Sequence, residues 1–162
     1  MAKSTKSVQP VPEGYHTVTP YLVVKGGVQA IEFYKKALGA EERFRMPTPD
    51  GKGIAHAELK IGSSMVMLGE ENPAMGAIAP PPNGCGVGFY VYVPDVDAAF
   101  QRAEKAGAKV KQPLENKFYG DRSGSLLDPF GHQWTLASHI EDVPAAEMDK
   151  RMKAAMAKQG AK

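Results

Sequence analysis

The chain has 162 residues, of which 43% are hydrophobic and 23% are charged, and its formal net charge is +2. This length and composition predict an ordinary globular domain with a full apolar core and argue against disorder in the body of the chain. The interspersed charges give no support for nucleic-acid or membrane binding, and no apolar run reaches the length of a membrane span or of a signal peptide.

The first half of the chain predicts one strand, one helix and three further strands. Residues 1–14 show no hydrophobic periodicity and are interpreted as a mobile leader. β-branched and aromatic residues indicate a strand at Thr17–Val24, and a helical repeat of apolar residues follows at Val28–Leu38. Turn residues and alternation then predict the strands Glu41–Met46, Ile54–Ile61 and Ser64–Leu68.

The second half begins after a segment rich in proline and glycine, residues 71–86, which is interpreted as a linker or a functional flap. Phe89–Val93 is predicted to be a strand, and Val96–Ala106 a helix that Asp95 caps. Three more strands are predicted at Lys109–Lys111, Ser123–Leu127 and Gln133–Ser138, with a loop at Pro113–Gly120. Residues 142–162 have helical propensity, and Met148, Met152 and Met156 are spaced for one face of a docking helix.

The two halves repeat each other. Val28 and Gly39 of the first predicted helix recur as Val96 and Gly107 at an offset of 68 residues, and the element order β-α-β-β-β is the same in both halves. One such unit leaves a sheet face uncovered, so a duplicated unit is expected to complete a cavity.

The last predicted hairpin carries the most specific motif in the chain. Asp128-Pro129-Phe130-Gly131 is a turn in which Asp caps the backbone, Pro presets φ and Gly permits a positive φ. A D-P-x-G turn followed by a strand with a tryptophan, here Trp134, resembles the last hairpin of the vicinal oxygen chelate superfamily. That superfamily includes glyoxalase I, bleomycin-resistance proteins and extradiol dioxygenases, and the hairpin resembles its metal-poor PhnB-like branch more closely still.

The resemblance implies an α+β fold in which two tandem βαβββ modules form curved mixed sheets around a cavity. It places the domain at residues 15–141, between the leader at 1–14 and a C-terminal helical tail at 142–162. Within the domain, module one is expected at 15–70, the loop at 71–86 and module two at 87–141.

The resemblance also implies four strand positions where catalytic members hold a divalent metal ion with His, Gln or Glu. These positions fall on residues that are not competent ligands. They are Thr19, Val66 (or Met67 if the register slips by one residue), Gly88 and Thr135. We therefore expect no metal cofactor; a divalent ion at a displaced site that uses His56 and Glu58 is the alternative.

Strand alternation divides the candidate binding residues from the core. In Ile54–Ile61, the residues Ala55, Ala57, Leu59 and Ile61 are predicted to face the helix side, and His56 and Glu58 the concave side. Trp134 and Leu136 are likewise predicted on the helix side. The ligand-binding candidates, with Arg122 near the mouth of the cavity, are Thr19, Tyr21, His56, Glu58, Tyr90, Tyr92, Arg122, Gln133 and Thr135. We expect them to converge on one pocket.

These features favour a binding protein over an enzyme. The expected partner is a small, partly aromatic ligand, and the expected assembly is a homodimer. The alternative is a lyase or isomerase that uses a displaced metal or His56 and Glu58 as an acid–base pair. The single cysteine, Cys85, allows no disulfide within the chain, which fits a cytoplasmic protein.

Overall fold

A computed structural model describes residues 10–159, and these residues form two four-stranded mixed sheets and three α-helices. The strands of the first sheet are β1 (Tyr21–Val24), β2 (Glu41–Pro47), β3 (Ile54–Ile61) and β4 (Ser64–Glu70). Those of the second sheet are β5 (Gly88–Tyr92), β6 (Lys109–Asn116), β7 (Asp121–Leu127) and β8 (Gln133–His139). The helices are α1 (Gly27–Leu38), α2 (Val96–Lys105) and α3 (Ala145–Gln159), with a short 3-10 helix at Pro73–Met75.

Both sheets have the same topology. Their strand orders are β1-β4-β3-β2 and β5-β8-β7-β6, and in each sheet the first pair is parallel and the other two pairs are antiparallel. This arrangement confirms the predicted α+β fold with two βαβββ modules. The chain divides into two compact units; the main change from one to the other falls between Ile78 and Ala79, and Lys36–Leu38 at the end of α1 group with the second unit.

Two predicted strands have different lengths in the structure. The first strand begins at Tyr21 rather than Thr17, because the proline at position 20 has no backbone N–H for the sheet. The strand predicted at Lys109–Lys111 continues to Asn116, through the segment predicted as a loop from Pro113. β6 lies at the edge of its sheet and pairs irregularly with β7, which is where a strand tolerates proline.

The chain termini match the predictions only in part. Residues 1–9 of the predicted leader and residues 160–162 of the predicted tail lie outside the described residues. The Tyr15 backbone N–H donates to the Pro12 carbonyl at 3.1 Å, which forms a turn just before β1. In α3, Met148 and Met152 are half-buried, whereas Met156, one turn further along the helix, is 62% exposed.

The first sheet has one buried face and one open face. Leu22, Leu59 and Leu68 lie on the buried face and are at most 2% exposed. α1 lies on this face: its Lys35 forms an ion pair at 2.7 Å with Glu42, and Glu42 is the cross-strand neighbour of the buried Leu59. Ala55 is an exception to the predicted alternation: it is exposed, while the preceding residue is buried beside a register shift between β2 and β3.

The turn between β7 and β8 is held by the Asp128 carboxylate. It accepts hydrogen bonds from the backbone N–H groups of Phe130 and His132 at 2.9 and 2.8 Å and from Trp134 Nε1 at 2.8 Å. Gly131 adopts φ +90°, as the predicted turn requires. Trp134 is 3% exposed and packs against Phe89, with ring centroids 4.8 Å apart. The D-P-x-G sequence therefore joins a turn to the core.

Replacing Trp134 tests this arrangement. Trp134→Ala is expected to lower the free energy of unfolding by about 3–5 kcal/mol, because it leaves a cavity and removes a partner of Asp128. Denaturant unfolding followed by far-UV circular dichroism measures the loss, since no other tryptophan remains for fluorescence. Trp134→Phe is the matched control and should recover most of the packing. A Trp134→Ala loss below about 1 kcal/mol would contradict the assigned core position.

Candidate functional site

The open face of the first sheet carries a row of side chains that spans three strands. Tyr21 of β1 pairs with Met67 of β4, which in turn pairs with Glu58 of β3. Cross-strand partners lie on the same side of a sheet, so the three side chains share the open face. The next strand adds Phe44, the partner of Glu58, which is 48% exposed.

His56 lies among aromatic rings in the adjacent row. Its ring centroid is 5.8 Å from that of Tyr21 and 6.1 Å from that of Phe44. Its Nε2 is 3.4 Å from Glu58 Oε1, and both side chains are half-buried. Gly69 makes room for this group, because a Cβ at that position would meet the Tyr21 hydroxyl at 2.5 Å. The sequence thus places an aromatic surface around a His–Glu pair.

A pocket of about 450 Å³ adjoins this surface, and we call it the module-one pocket. The N-terminal segment forms one wall, and the open face of the sheet forms the other. Its lining includes Pro12, Tyr15, Thr19, Glu58 and Met67. The pocket therefore brings two predicted candidates, Thr19 and Glu58, together with a tyrosine that the sequence did not single out.

The Tyr15 hydroxyl is buried and has no hydrogen-bond partner among the described residues. Burial, followed by the neighbouring Glu58 carboxylate, raises the pKa of Tyr15 to about 12, so the hydroxyl keeps its proton at neutral pH. The Glu58 carboxylate lies close enough to the hydroxyl to raise its pKa, although the two groups do not meet the geometric limits of a hydrogen bond. Buried polar groups in folded proteins are nearly always paired, so an unpaired buried hydroxyl is an unusual feature of this pocket.

The second sheet also has an open face, which carries the other tyrosine candidates. Tyr90 pairs with Thr135 across β5 and β8, on the face opposite Trp134. Tyr90 and Tyr92 are 46% and 62% exposed, and their ring centroids are 5.2 Å apart. Gln133 is half-buried on the same face, and the Thr135 hydroxyl lies 2.8 Å from the hydroxyl of Ser125.

A buried carboxylate connects the two tyrosines to a histidine. Asp121 is 4% exposed and accepts from the hydroxyls of Tyr90 and Tyr92 at 3.2 and 2.8 Å. Its other oxygen is 2.8 Å from His139 Nδ1, and His139 Nε2 is 2.9 Å from Asp142 Oδ1. The side chains of His139 and Asp142 border a cavity of about 360 Å³.

These contacts shift the pKa values of the group. Burial raises the pKa of Asp121, but hydrogen bonds from His139, Tyr92 and Tyr90 outweigh it, and the net shift is downward. The hydrogen bond to Asp121, followed by that to Asp142, raises the pKa of His139 above its ordinary value of 6.5. Both imidazole nitrogens face a carboxylate oxygen, and both can donate only in the protonated ring.

Arg122 does not join the other candidates. It pairs with Ser138 of β8 on the helix side of the sheet, so its side chain extends away from the open face. There it donates to both oxygens of Asp97 in α2, at 2.8 and 2.7 Å, and to Asn116 at 3.1 Å. The prediction that Arg122 lies near the mouth of the cavity is wrong. On β7 the side chains of Asp121 and Ser123 face the open side, and that of Arg122, between them, faces the helix side.

The positions implied for a metal do not provide a suitable donor set. Val66 is 5% exposed on the buried face of β4, so Met67 is the residue that shares the open face with Tyr21. A thioether and the Thr19 hydroxyl are poor ligands for a hard divalent ion. Gly88 has no side chain, and the other position, Thr135, bonds to Ser125. Within residues 10–159, no group of three or more His, Cys, Asp or Glu side chains is arranged to hold a metal ion.

Sequence reasoning missed two features of these faces. Tyr15 lies in a segment without periodicity, and no sequence signal indicated that it would meet Glu58. The pairing of Asp121 with His139 did have a signal. The D-P-x-G turn pairs Leu127 with Gln133, and counting back along both strands brings Asp121 opposite His139.

A family model described as Glyoxalase/Bleomycin resistance protein/Dioxygenase superfamily matches residues 15–136. The chain is 44% identical over 147 residues to "Uncharacterized protein Rv0887c" of Mycobacterium tuberculosis, covering 88% of this chain and 84% of that protein. It is 29% identical over 114 residues to "Uncharacterized protein At5g48480" of Arabidopsis thaliana, covering 67% of this chain and 69% of that protein.

Solved structures agree with this match. TioX from Micromonospora sp. ML1 has a TM-score of 0.61 and 27% identity, covering 75% of this chain and 97% of TioX. The fosfomycin resistance protein FosX from Listeria monocytogenes has a TM-score of 0.58 and 16% identity, covering 82% of this chain and 97% of FosX, and shows similarity of fold alone. Among the described residues, no helix is long and apolar enough to cross a membrane.

The position of His139 between two carboxylates predicts a pH-dependent stability. The pKa of His139 is raised in the folded state, so the protonated ring stabilises the folded protein. This stabilisation is fully present below the unfolded pKa of about 6.5 and is lost as the pH rises through the folded pKa. Chemical denaturation between pH 5.5 and 8.5 (a range of about three units around that pKa) should show this decline, and His139→Gln should remove it. His16→Gln, at an exposed histidine, is the control. A decline that persists in His139→Gln would contradict the assignment.

Proposed function

The chain belongs to the Glyoxalase/Bleomycin resistance protein/Dioxygenase superfamily, and from this we propose that it is a small-molecule-binding protein of the PhnB-like kind. It holds a small, partly aromatic ligand on the open face of a module and does not use the metal of the catalytic members. The Mycobacterium tuberculosis and Arabidopsis thaliana relatives carry no activity in their names, so the proposal stands on the chain's own residues.

One observation carries the proposal: aromatic and apolar side chains stay exposed around a polar pair on the open face of the first sheet. Tyr21, Phe44 and Met46 are 50%, 48% and 47% exposed, and they surround His56 and Glu58. Large apolar side chains clustered on one face, beside a few polar groups, are typical of ligand sites. The polar pair would orient a ligand that the rings hold.

The enzyme alternative uses the same polar pair. His56 and Glu58 could transfer a proton to or from a substrate as a lyase or isomerase requires. The separation of 3.4 Å between His56 Nε2 and Glu58 Oε1 is longer than a strong hydrogen bond, so neither group is firmly oriented by the other. A binding role needs no such orientation, and the binding proposal is therefore favoured.

Two further parts of the proposal concern assembly and location. We propose a homodimer, because exposed rings such as Tyr21, Phe44 and Tyr92 on the open faces are surfaces that a second copy or a ligand would cover. We also propose a cytoplasmic location, for which the single cysteine is the support.

Removing one ring from the open face tests the binding proposal. Uncharged aromatic fragments should shift the amide NMR signals of β1, β3 and β4. Tyr21→Ala should make the binding free energy of the tightest-binding fragment less favourable by about 0.5–1.5 kcal/mol, because an aromatic contact is lost. His56→Ala should weaken binding while leaving stability nearly unchanged. Ile78→Ala, at a residue 69% exposed outside the strands, is the control. Equal losses in Tyr21→Ala and Ile78→Ala would contradict the proposed face.

Metal content separates the binding proposal from a displaced metal site. Protein purified without chelator should contain zinc, nickel, iron and manganese far below one equivalent per chain, because the implied positions lack donors. Elemental analysis by mass spectrometry measures this. A full equivalent of one metal that disappears in Glu58→Ala would instead support a metalloenzyme that uses the displaced site.

A further inference from the structure

The module-one pocket presents a half-buried carboxylate, Glu58, that forms no ion pair with a lysine or arginine of the described residues. The Glu58 side chain is 26% exposed, and among the described residues His56 is the one group at ion-pair distance from it, at 3.4 Å. A carboxylate that is partly withdrawn from water gains from a cationic partner, and here a ligand can supply the positive charge.

Three of the polar side chains that line the pocket, Tyr15, Thr19 and Glu58, offer acceptor atoms; His16 and Thr17 also line it and can donate as well as accept. Thr19 Oγ1 already donates its proton to the His16 carbonyl at 3.2 Å, which leaves its lone pairs available. The Glu58 carboxylate accepts only, and the Tyr15 hydroxyl, which has no partner among the described residues, can also accept. An ammonium group consists of donors alone and is therefore the complement of these three acceptors.

The rest of the pocket is apolar and suited to a small body. Val11, Pro12 and Met67 contribute its walls, and Tyr15 adds an aromatic ring. The volume of about 450 Å³ lies in the range of small-ligand sites. An aromatic ring beside a carboxylate also favours a cation, through the negative face of its π-system.

From these contacts we infer that the module-one pocket recognises an amine with an apolar or aromatic body, whose ammonium group binds Glu58 and the Tyr15 hydroxyl. This inference rests on the proposed binding function and specifies the ligand class. Glu58 acts as the counter-ion, Tyr15 as a second polar contact, and Met67 lies against the apolar body of the ligand.

Two probes of the same shape separate charge from hydrophobicity: benzylammonium and benzyl alcohol. Protein labelled with ¹³C at the methionine methyl groups places a reporter, Met67, in the pocket, and Met75, which is 83% exposed elsewhere, provides a reference. Benzylammonium should shift the Met67 methyl signal and leave that of Met75 unchanged. It should bind roughly tenfold more tightly than benzyl alcohol, as expected for a charge-assisted contact.

Three variants identify the groups that act. Glu58→Gln keeps the shape of the side chain but removes its charge. It should lower the affinity for benzylammonium roughly tenfold and leave the affinity for benzyl alcohol unchanged. Tyr15→Phe removes only the hydroxyl and should lower the affinity for benzylammonium roughly tenfold, because a hydrogen bond from a charged group is lost. Glu104→Gln removes the same charge at an exposed glutamate of α2 that does not line the pocket, and it should change neither affinity. Circular dichroism of each variant verifies that it folds.

The outcomes distinguish amine recognition from small-molecule binding in general. Equal affinity for the two probes, or benzylammonium binding that Glu58→Gln does not weaken, would overturn the amine inference and leave an aromatic-ligand site standing. If neither probe moves the Met67 methyl signal in the folded wild-type protein, the ligand-binding proposal at this pocket fails together with the inference.

Discussion

The two-residue period of the β-strands decides which side chains of this protein can reach a ligand. Each sheet buries one face beneath a helix and leaves the other open, so neighbouring residues on a strand have opposite roles. On β3, Leu59 is fully buried while the adjacent Glu58 borders the module-one pocket. On β8, Trp134 is in the core, and the adjacent Thr135 lies on the open face.

The open faces of the two sheets satisfy their polar groups to different degrees. In the second sheet, Asp121 is buried, but its carboxylate accepts from two tyrosine hydroxyls and lies 2.8 Å from His139 Nδ1, so both of its oxygens have partners. In the first sheet, His56 is the one ion-pair partner of Glu58 within residues 10–159, at 3.4 Å, and the nearby Tyr15 hydroxyl has no hydrogen-bond partner there. A satisfied network stabilises a structure, whereas an unsatisfied one gains free energy when a ligand binds. This contrast favours the first sheet as the ligand site and the second as a structural cluster.

Local sequence signals predicted the order of the elements and the repeat, and the resemblance of the last hairpin to a known superfamily supplied the α+β fold. The offset between Gly39 and Gly107 revealed the duplicated unit, and the D-P-x-G turn fixed the register of the last hairpin, which placed Trp134 correctly. Arg122 was expected at the mouth of the cavity because of its charge; its parity next to Asp121 would have placed it on the helix side, where the structure has it. The choice between Val66 and Met67 depended on a shift of one residue, which alternation alone does not resolve in a strand that is apolar throughout.

The Tyr15 hydroxyl could not have been predicted at all. It precedes β1 in a segment without periodicity, and its proximity to Glu58 results from the path of the chain over the sheet, a contact between residues more than forty positions apart. Long-range contacts of this kind leave no pattern in a single sequence. For the same reason, the pocket became visible only in the folded chain, although Thr19 and Glu58 had both been candidates.

The central claim is that the Tyr15 hydroxyl and the Glu58 carboxylate form an unfilled polar pair that a ligand completes. A high-resolution crystal structure of the protein, purified without added ligand, tests this claim most directly. The account predicts density for a bound small molecule or an ordered water that bridges the hydroxyl and the carboxylate. A short, direct hydrogen bond between Tyr15 and Glu58, with residues 10–15 packed into the pocket, would contradict it, because the pair would then be satisfied within the chain.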